Sequence, residues 1–249
     1  MARHPHPYRS HLRSASAAAA VAGIVLVGSA VEVTARPIGP YDVGGAIEAE
    51  YDRVGGLAFF GEPLSPESAA ARGGRYQLFE RDCSIYWHPD TGAQQIGGAI
   101  RDKWGDLGYE GGPLGYPVTR EMATPSKPGR YNVFQGGSIY WSIGTAAHQI
   151  GGSIRDKWGS YGWESSPLGF PITDETPARA GNGRYSLFGG GAIYWSPTTD
   201  AHVIWGAIRG NWEAAGAEAG RYGYPISDEY DVAEGKAQDF QGGRITWRP

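Results

Sequence analysis

Cysteine is nearly absent from this 249-residue sequence, which contains Cys83 alone and only two methionines. A single cysteine excludes an intrachain disulfide, so packing must hold the fold together. We interpret Cys83 as a buried small hydrophobe, with a reactive thiol or an intermolecular disulfide as the alternative. Positive charge is not in excess either, because 22 Lys and Arg stand against 26 Asp and Glu. This balance argues against nucleic acid and anionic lipid as partners.

Long apolar runs are also scarce, and the only one lies near the N-terminus. Arg3, Arg9 and Arg13 surround the start of the chain, an apolar stretch follows over residues 15–31, and small residues occupy 33–35. This order is typical of a secretory signal peptide, which we predict over residues 1–35, with a retained membrane anchor as the alternative. We therefore expect residues 36–249 to be an exported mature chain without a membrane span.

The rest of the sequence repeats one pattern four times. Each copy begins at G-[AS]-I, continues through a turn of the form x-G-x-P-[ILV]-[ST]-x-E and ends on an aromatic run such as RYNVFQGGSIYW. A single repeat domain over residues 36–249 is predicted, with units at 45–97, 98–151, 152–205 and 206–249. The turn glutamates lie 54 residues apart and are Glu67, Glu121, Glu175 and Glu229. A fixed period indicates an array in which neighbouring units share their cores.

Within one unit, the residue periodicity predicts a helix followed by a hairpin. Ile100, Trp104 and Leu107 form an apolar stripe at helical spacing. The LGYP turn cannot continue a helix, because proline fixes φ and lacks a donor. Two β-like runs, RYNVF and SIYW, are joined by a glycine turn, and a third run ends near Ile150. The predicted fold class is an α+β tandem repeat, each unit being one short helix and a two- to three-stranded antiparallel meander.

The ends of the array raise the question of closure. Residues 41–43 align with residues 94–96, which form the third run of the first unit. We predict that this N-terminal strand pairs with the last hairpin and closes the array into a propeller-like ring, because closure removes exposed strand edges. The alternative is an open solenoid whose degenerate fourth copy acts as an end cap.

No catalytic or metal-binding motif is found in the sequence, so we expect neither an enzyme nor a cofactor or metal. His88, His148 and His202 are interpreted as ordinary strand residues. The four turn glutamates do not supply the paired carboxylates of a glycosidase, since equivalent positions lie a unit apart. We expect them to be structural, accepting from turn amides or from Arg75, Arg130 and Arg184, with ligand contact as the alternative.

The strongest binding candidates lie on the hairpins. If side chains alternate along the second strand, Tyr86, Tyr140 and Tyr194 point away from the core and offer an amphipathic ring to a sugar. Arg75, Arg130 and Arg184 add hydrogen-bond donors nearby. Packing of the tyrosines between units is the alternative. Trp163 lies in a loop and is a further candidate.

These motifs resemble the LGFP repeat family of actinobacterial exported and cell-wall-associated proteins, and the resemblance runs from Gly45 to Trp247. Phe60 and Tyr222 depart from the leucine of the turn, and Lys236 and Ala237 replace the arginine–tyrosine pair of the hairpin. The resemblance implies a secreted, non-catalytic, cell-wall-associated protein. Its expected partner is wall polysaccharide, arabinogalactan or peptidoglycan, with an envelope enzyme or other surface protein as a further partner. A protein-binding scaffold or adhesin is the alternative.

Overall fold

The structure is a computed structural model that describes residues 35–249, so the predicted signal peptide falls almost wholly outside the described residues. The helices are α1 (Gly45–Val54), α2 (Gly56–Phe60), α3 (Gly98–Asp106), α4 (Gly152–Ser160) and α5 (Gly206–Ala214). The strands are β1 (Arg36–Ile38), β2 (Tyr41–Val43), β3 (Ser68–Ala69), β4 (Arg75–Phe79), β5 (Cys83–His88), β6 (Gly92–Gly97), β7 (Met122–Ala123), β8 (Arg130–Phe134), β9 (Gly137–Ser142), β10 (Ala146–Ile150), β11 (Thr176–Pro177), β12 (Arg184–Phe188), β13 (Gly191–Ser196), β14 (Asp200–Ile204), β15 (Tyr230–Val232), β16 (Gly235–Phe240) and β17 (Gly243–Trp247). Among these residues, no helix is long and apolar enough to cross a membrane.

Each unit forms its own antiparallel sheet. The strand orders are β3-β4-β5-β6, β7-β8-β9-β10, β11-β12-β13-β14 and β15-β16-β17. The predicted α+β repeat of one short helix and an antiparallel meander is confirmed. A two-residue strand beside the hairpin, directly after each turn glutamate in the first three units, extends the predicted meander by one strand.

A buried aromatic side chain ties the first helix of each unit to the turn that follows it. Trp104, Trp158 and Trp212 are fully buried. Each indole N–H donates to the carbonyl of the turn glycine eleven residues later, over 3.1, 3.2 and 2.9 Å. In the first unit the hydroxyl of Tyr51 donates to Gly61 O over 3.1 Å. These glycines have φ of 64–72°, a left-handed conformation that favours glycine. This conformation also points the glycine carbonyl at the aromatic donor.

The middle hairpin strand of each of the first three units is shared between two cores. Ile85 packs in the core of the first unit, whereas Tyr86 packs in the core of the second. The ring of Tyr86 lies edge-on to Trp104 at 4.7 Å between centroids. The same edge-on contact joins Tyr140 to Trp158 at 4.6 Å and Tyr194 to Trp212 at 4.8 Å. Neighbouring units therefore depend on each other for burial of apolar surface, as predicted.

The aromatic residue of the LGFP-type turn also reaches into the preceding unit. Tyr116 donates its hydroxyl to the carbonyl of Ala71, and Tyr224 donates to Ala180 in the same way. A Cβ atom added to Gly74 would lie 2.1 Å from the Tyr116 hydroxyl. The loop before each hairpin therefore requires a glycine where the next unit's aromatic side chain approaches.

The N-terminal strand lies in the predicted register but has a different partner. Asp42 O accepts from the Gln77 side chain over 3.0 Å, as Gln95 O accepts from Asn132 over 3.2 Å, so β2 occupies the place of a unit's third strand. However, β1 folds back on β2 through residues 39 and 40 and pairs along the edge that a hairpin strand would use. The predicted pairing of β2 with the last hairpin is therefore wrong, and the sheets of residues 35–249 form a tandem series without a ring closed in this way.

The fourth unit has a polar outer face. The stacked tyrosine pair of the preceding hairpins, such as Tyr185 and Tyr194, is replaced by Ala237 opposite Thr246. Beside them Arg244 Nε donates to Asp239 Oδ1 over 2.7 Å. These substitutions remove the stacked tyrosine pair that the next unit's helix covers in the other hairpins, which is typical of a terminal repeat.

An ion pair crosses each junction between consecutive units, and the first pair has reversed polarity. In the second and third junctions a helix lysine meets an aspartate from the next unit's turn, as Lys103 Nζ–Asp174 Oδ2 at 3.0 Å and Lys157 Nζ–Asp228 Oδ2 at 2.8 Å. In the first junction the helix supplies the carboxylate and the turn the cation. This pair joins Glu50 Oε1 to Arg120 Nε over 3.5 Å.

At every junction a backbone amide of the third hairpin strand donates to the carboxylate of the ion pair. Gln149 N donates to Asp174 and Val203 N donates to Asp228, each over 2.9 Å. At the first junction Gln95 N donates instead to Glu50, over 3.3 Å, and Glu50 is only 1% exposed. The carboxylate that accepts from this amide can therefore belong to either of the two adjoining units, provided that the other unit supplies the cation that pairs with it.

The reversed pair at the first junction yields a stability prediction. Glu50→Lys sets a lysine beside Arg120 and leaves the Gln95 amide without its acceptor, so it should lower the free energy of unfolding by about 3–5 kcal/mol. Adding Arg120→Asp should restore part of this loss, because the lysine then faces a carboxylate that can accept from the Gln95 amide, whereas Arg53 still lacks its pair with residue 50. Urea unfolding of both single variants and the double variant measures the coupling. A double variant that shows only the sum of the two losses would contradict the interpretation.

The tryptophan–glycine bond yields a second prediction. Trp158→Phe keeps an aromatic ring but removes the donor to Gly169 O, so we expect a loss of about 1–3 kcal/mol in thermal or urea unfolding. Trp205→Phe is the matched control, because its ring is half-buried and its indole makes no hydrogen bond within residues 35–249. Equal losses for the two variants would show that the bond contributes nothing.

Candidate functional site

The hairpins bring an arginine, a tryptophan and the turn glutamate together in each of the first three units. The arginine begins the first hairpin strand and lies directly opposite the tryptophan of the second. The turn glutamate then forms an ion pair with that arginine. We call this set the Glu–Arg–Trp cluster, and its members are Glu67, Arg75 and Trp87, then Glu121, Arg130 and Trp141, then Glu175, Arg184 and Trp195.

The cluster is accessible to solvent. The three arginine side chains are 41–53% exposed, and the three tryptophans are half-buried against their own unit's core. Each cluster therefore offers part of an aromatic ring beside a guanidinium group and a carboxylate. An apolar ring surface bordered by hydrogen-bonding groups is suited to a sugar, whose faces are apolar and whose edges are hydroxyls.

The fourth unit carries an altered version of the cluster. Lys236 takes the place of the arginine opposite Trp247, and it pairs with Asp231 over 2.5 Å. No arginine approaches Glu229 within the described residues. The fourth unit therefore lacks the planar donor group of the other three.

The turn glutamates contact the groups expected for a structural role. Glu67, Glu121 and Glu175 each pair with the arginine of their own unit. Glu175 Oε2 also accepts from Gly151 N over 3.2 Å, just before α4 begins. The pair in the second unit is the loosest, with Arg130 Nε 3.7 Å from Glu121 Oε1. Burial raises the pKa of the Glu121 carboxyl, despite the opposing effect of Arg130.

The tyrosines expected to face outward are buried instead. Tyr86, Tyr140 and Tyr194 are 5–6% exposed, and burial raises the pKa of each phenol. The outward orientation predicted from alternation is wrong, because the opposite face of each hairpin is covered by the next unit's helix. The alternative, packing between units, is what the structure shows, and these rings offer no free face to a sugar.

Trp163 is only partly exposed, because its loop folds back onto the core of the third unit. Its ring lies edge-on to Trp158 at 5.3 Å, and the Arg155 guanidinium lies 5.2 Å from its centroid. Its backbone has φ of 57°, an unusual conformation for a bulky residue. The following Glu164 accepts from Ser126 N over 3.1 Å in the preceding unit, so this conformation positions an inter-unit hydrogen bond.

A pocket of 340 Å³ opens beside the cluster of the second unit. Glu121, Arg130 and Trp141 line one part of it, and Phe59, Arg81 and Cys83 from the first unit line another. Cys83 is 8% exposed, and burial raises the pKa of its thiol, so it is not an activated nucleophile. The interpretation of Cys83 as a buried small side chain is confirmed, although it also forms part of a pocket wall.

The strand histidines take part in contacts between units rather than in a metal site. His148 Nδ1 lies 3.3 Å from Asp174, and His202 Nδ1 lies 3.3 Å from Asp228. His88 stacks on Tyr116 at 4.6 Å between ring centroids. Within residues 35–249 no group of three or more His, Cys, Asp or Glu side chains is arranged to hold a metal ion.

Trp87, Trp141 and Trp195 were not among the binding candidates identified from the sequence. The sequence does contain a signal for these tryptophans, because the length of each hairpin places its arginine opposite its tryptophan. The difference in burial between the helix tryptophans, which are fully buried, and the strand tryptophans, which are half-buried, is not visible in residue type. The burial differs because the neighbouring unit covers only one side of each sheet.

Repeated units, shared cores and a surface cluster in each of the first three units define the class of the molecule: a tandem-repeat protein in which one surface arrangement recurs. The chain belongs to the LGFP repeat family, whose sequence profile matches residues 60–112, 114–166, 168–220 and 223–249. The profile begins each repeat at the turn rather than at the helix. A comparison with curated proteins found no significant match.

The junction aspartates yield a pH prediction. Burial by itself raises the pKa of the Asp174 carboxyl. Hydrogen bonds from His148, Gln149 and Lys103 outweigh that effect and hold its pKa well below the usual range, and Asp228 behaves in the same way. Because the folded-state pKa is depressed, the stabilisation is present above the unfolded value of about 3.9 and is lost as the pH falls below it.

We therefore expect Asp174→Asn and Asp228→Asn, combined, to lower the free energy of unfolding at pH 7. The difference from the unsubstituted protein should shrink as the pH falls from about 4 towards about 2. Urea unfolding at several pH values measures this, with Asp156→Asn on the exposed face of α4 as the control for losing a charge. A difference that stays constant over this range would contradict the assignment.

Proposed function

We propose that this protein is an exported, non-catalytic component of the cell envelope that binds wall polysaccharide, arabinogalactan or peptidoglycan, through repeated weak sites. The observation that supports this most is the recurrence of the Glu–Arg–Trp cluster at equivalent positions in three consecutive units. Membership of the LGFP repeat family adds to it, because the family resemblance implies cell-wall association.

The spacing of the sites suits a polymer better than a small molecule. Each cluster is an open, partly exposed surface, so one sugar on one cluster should bind weakly. A polysaccharide that engages several clusters at once gains affinity without any new contact, by factors of about 10²–10⁴. Because the units share cores, the clusters are held at fixed distances, which lowers the entropic cost of simultaneous binding.

A second candidate function, a protein-binding scaffold, has its own supporting observation. The aliphatic residue after the proline of each turn is exposed in every unit. These residues are Leu64, Val118, Ile172 and Ile226, with exposed fractions of 57, 38, 42 and 48%. An apolar side chain repeated at one surface position suits a protein partner more than a glycan.

Two sets of variants separate the two functions. Arg75→Gln, Arg130→Gln and Arg184→Gln, combined, remove the cluster guanidinium groups. Leu64→Ser, Val118→Ser, Ile172→Ser and Ile226→Ser, combined, remove the aliphatic row and form the matched control, because both sets change exposed positions. We expect the arginine set to lose at least about 100-fold in apparent affinity for immobilised arabinogalactan or peptidoglycan, and the aliphatic set to bind normally.

Protease-treated and untreated wall preparations complete the test. Glycan binding should survive protease treatment of the wall and should fall stepwise as one, two and three arginines are replaced. If the protein binds neither purified polysaccharide, the glycan proposal is wrong. If retention instead requires untreated wall and the aliphatic row, the scaffold function replaces it. Circular dichroism of each variant confirms that the fold is intact.

A further inference from the structure

The pocket at the first junction has walls that the other junctions lack. In the first unit the hairpin turn is one residue longer and supplies Arg81, Asp82 and Cys83. The corresponding turns of the other units contain the pairs Gly136–Gly137, Gly190–Gly191 and Gly242–Gly243, which carry no side chain. A Cβ atom added to Gly137 would lie 2.8 Å from Ile150 O, so a cysteine does not fit there without a shift.

One arginine on this pocket, Arg81, has no carboxylate partner in the part of the chain that the structure describes. Arg81 hydrogen-bonds the carbonyl of Ala58 and has no carboxylate within ion-pair distance among residues 35–249. Asp82, on the same turn, is already paired with Arg101. Arg130 lies 3.7 Å from Glu121, the loosest of the three cluster pairs. Residues 97–100, at the start of α3, also line the pocket, where the positive end of the helix dipole lies.

Aromatic surface lies beside these charges. Phe59 is exposed on α2, and Trp141 is half-buried opposite Arg130. Both line the same pocket. A ring surface next to two guanidinium groups provides contacts for the face of a sugar and for an anionic substituent on it.

We propose that the first junction is a specialised site for a sugar that carries an anionic group, a carboxylate or a phosphate. The anion binds between Arg81 and Arg130, and the sugar ring lies against Trp141 and Phe59. This inference rests on the proposed glycan binding and deepens it, because it makes the first junction the position at which an acidic sugar of the polymer is recognised.

Cys83 provides a native reporter for this site, because it is the only cysteine of the chain and lines the pocket. The rate of its alkylation by N-ethylmaleimide is measured on the full chain, with and without glucuronate, glucose 1-phosphate or glucose. We expect one or both anionic sugars to slow alkylation, and neutral glucose to do so at least about tenfold less effectively. Whichever anion protects identifies the carboxylate or the phosphate as the group recognised.

Arg81→Gln and Arg221→Gln are the paired variants. Arg81→Gln should raise the concentration of anionic sugar needed for half-protection about tenfold. Arg221→Gln, which replaces an exposed arginine of the fourth unit outside the clusters, should leave it unchanged. Protection by glucose equal to that by the anions, protection insensitive to Arg81→Gln, or no protection by any of the three would overturn the inference.

Retention on wall polysaccharide, measured on the same preparations, separates this inference from the proposed function. If the protein is retained on the polysaccharide but no sugar protects Cys83 from alkylation, only the proposal of a specialised site is wrong. If neither occurs, the glycan function fails as well. Alkylation rates without ligand, compared between the unsubstituted protein and Arg81→Gln, show whether the substitution itself opens the pocket.

Discussion

The fold depends on one contact made four times: a buried aromatic side chain on the first helix of each unit donates a hydrogen bond to the carbonyl of the glycine in the following turn. Burial of Trp104, Trp158 and Trp212 supplies a large part of each core, and the indole N–H requires an acceptor there. The turn glycine provides it in a conformation that other residues adopt at a cost. The bond thereby fixes the direction of the turn. The direction of the turn then determines where the glutamate and the hairpin arginine meet. The surface cluster is thus positioned by the core.

Much of this architecture was predictable because the sequence repeats it. The helix stripe, the proline turn and the glycine hairpin recur in order, and each recurrence strengthens the assignment. The shared core was also predicted, since one helix and a few strands cannot bury these aromatic residues alone. What failed was the orientation of Tyr86 and its equivalents, because alternation along a strand predicts a solvent face only if nothing covers it. Closure failed for a similar reason: residues 36–38 carry no strand signal of their own, yet they occupy the free edge of β2.

The candidate site was predicted in part. The arginines and glutamates were identified from their spacing, and they do meet. The contribution of Trp87, Trp141 and Trp195 depends on hairpin register and on partial burial, and neither is visible in residue type. The pocket at the first junction depends on a single inserted residue whose effect is spatial: it turns a glycine position into a side-chain position. Three equivalent clusters and one junction of different shape thus arise from a repeated sequence with a single insertion.

The reversed ion pair of the first junction has a consequence for how such arrays change in length. Loss of the third unit by recombination would bring Lys103 against Asp228, a compatible pair, and a tandem duplication of that unit would also join lysine to aspartate. Loss of the second unit would instead bring Glu50 against Asp174, and its duplication would bring Lys103 against a second copy of Arg120. Like charges then meet at a position where a strand amide also needs its acceptor. A change in repeat number through the third unit therefore keeps the junction ion pair, whereas a change through the second unit replaces it with a repulsive contact.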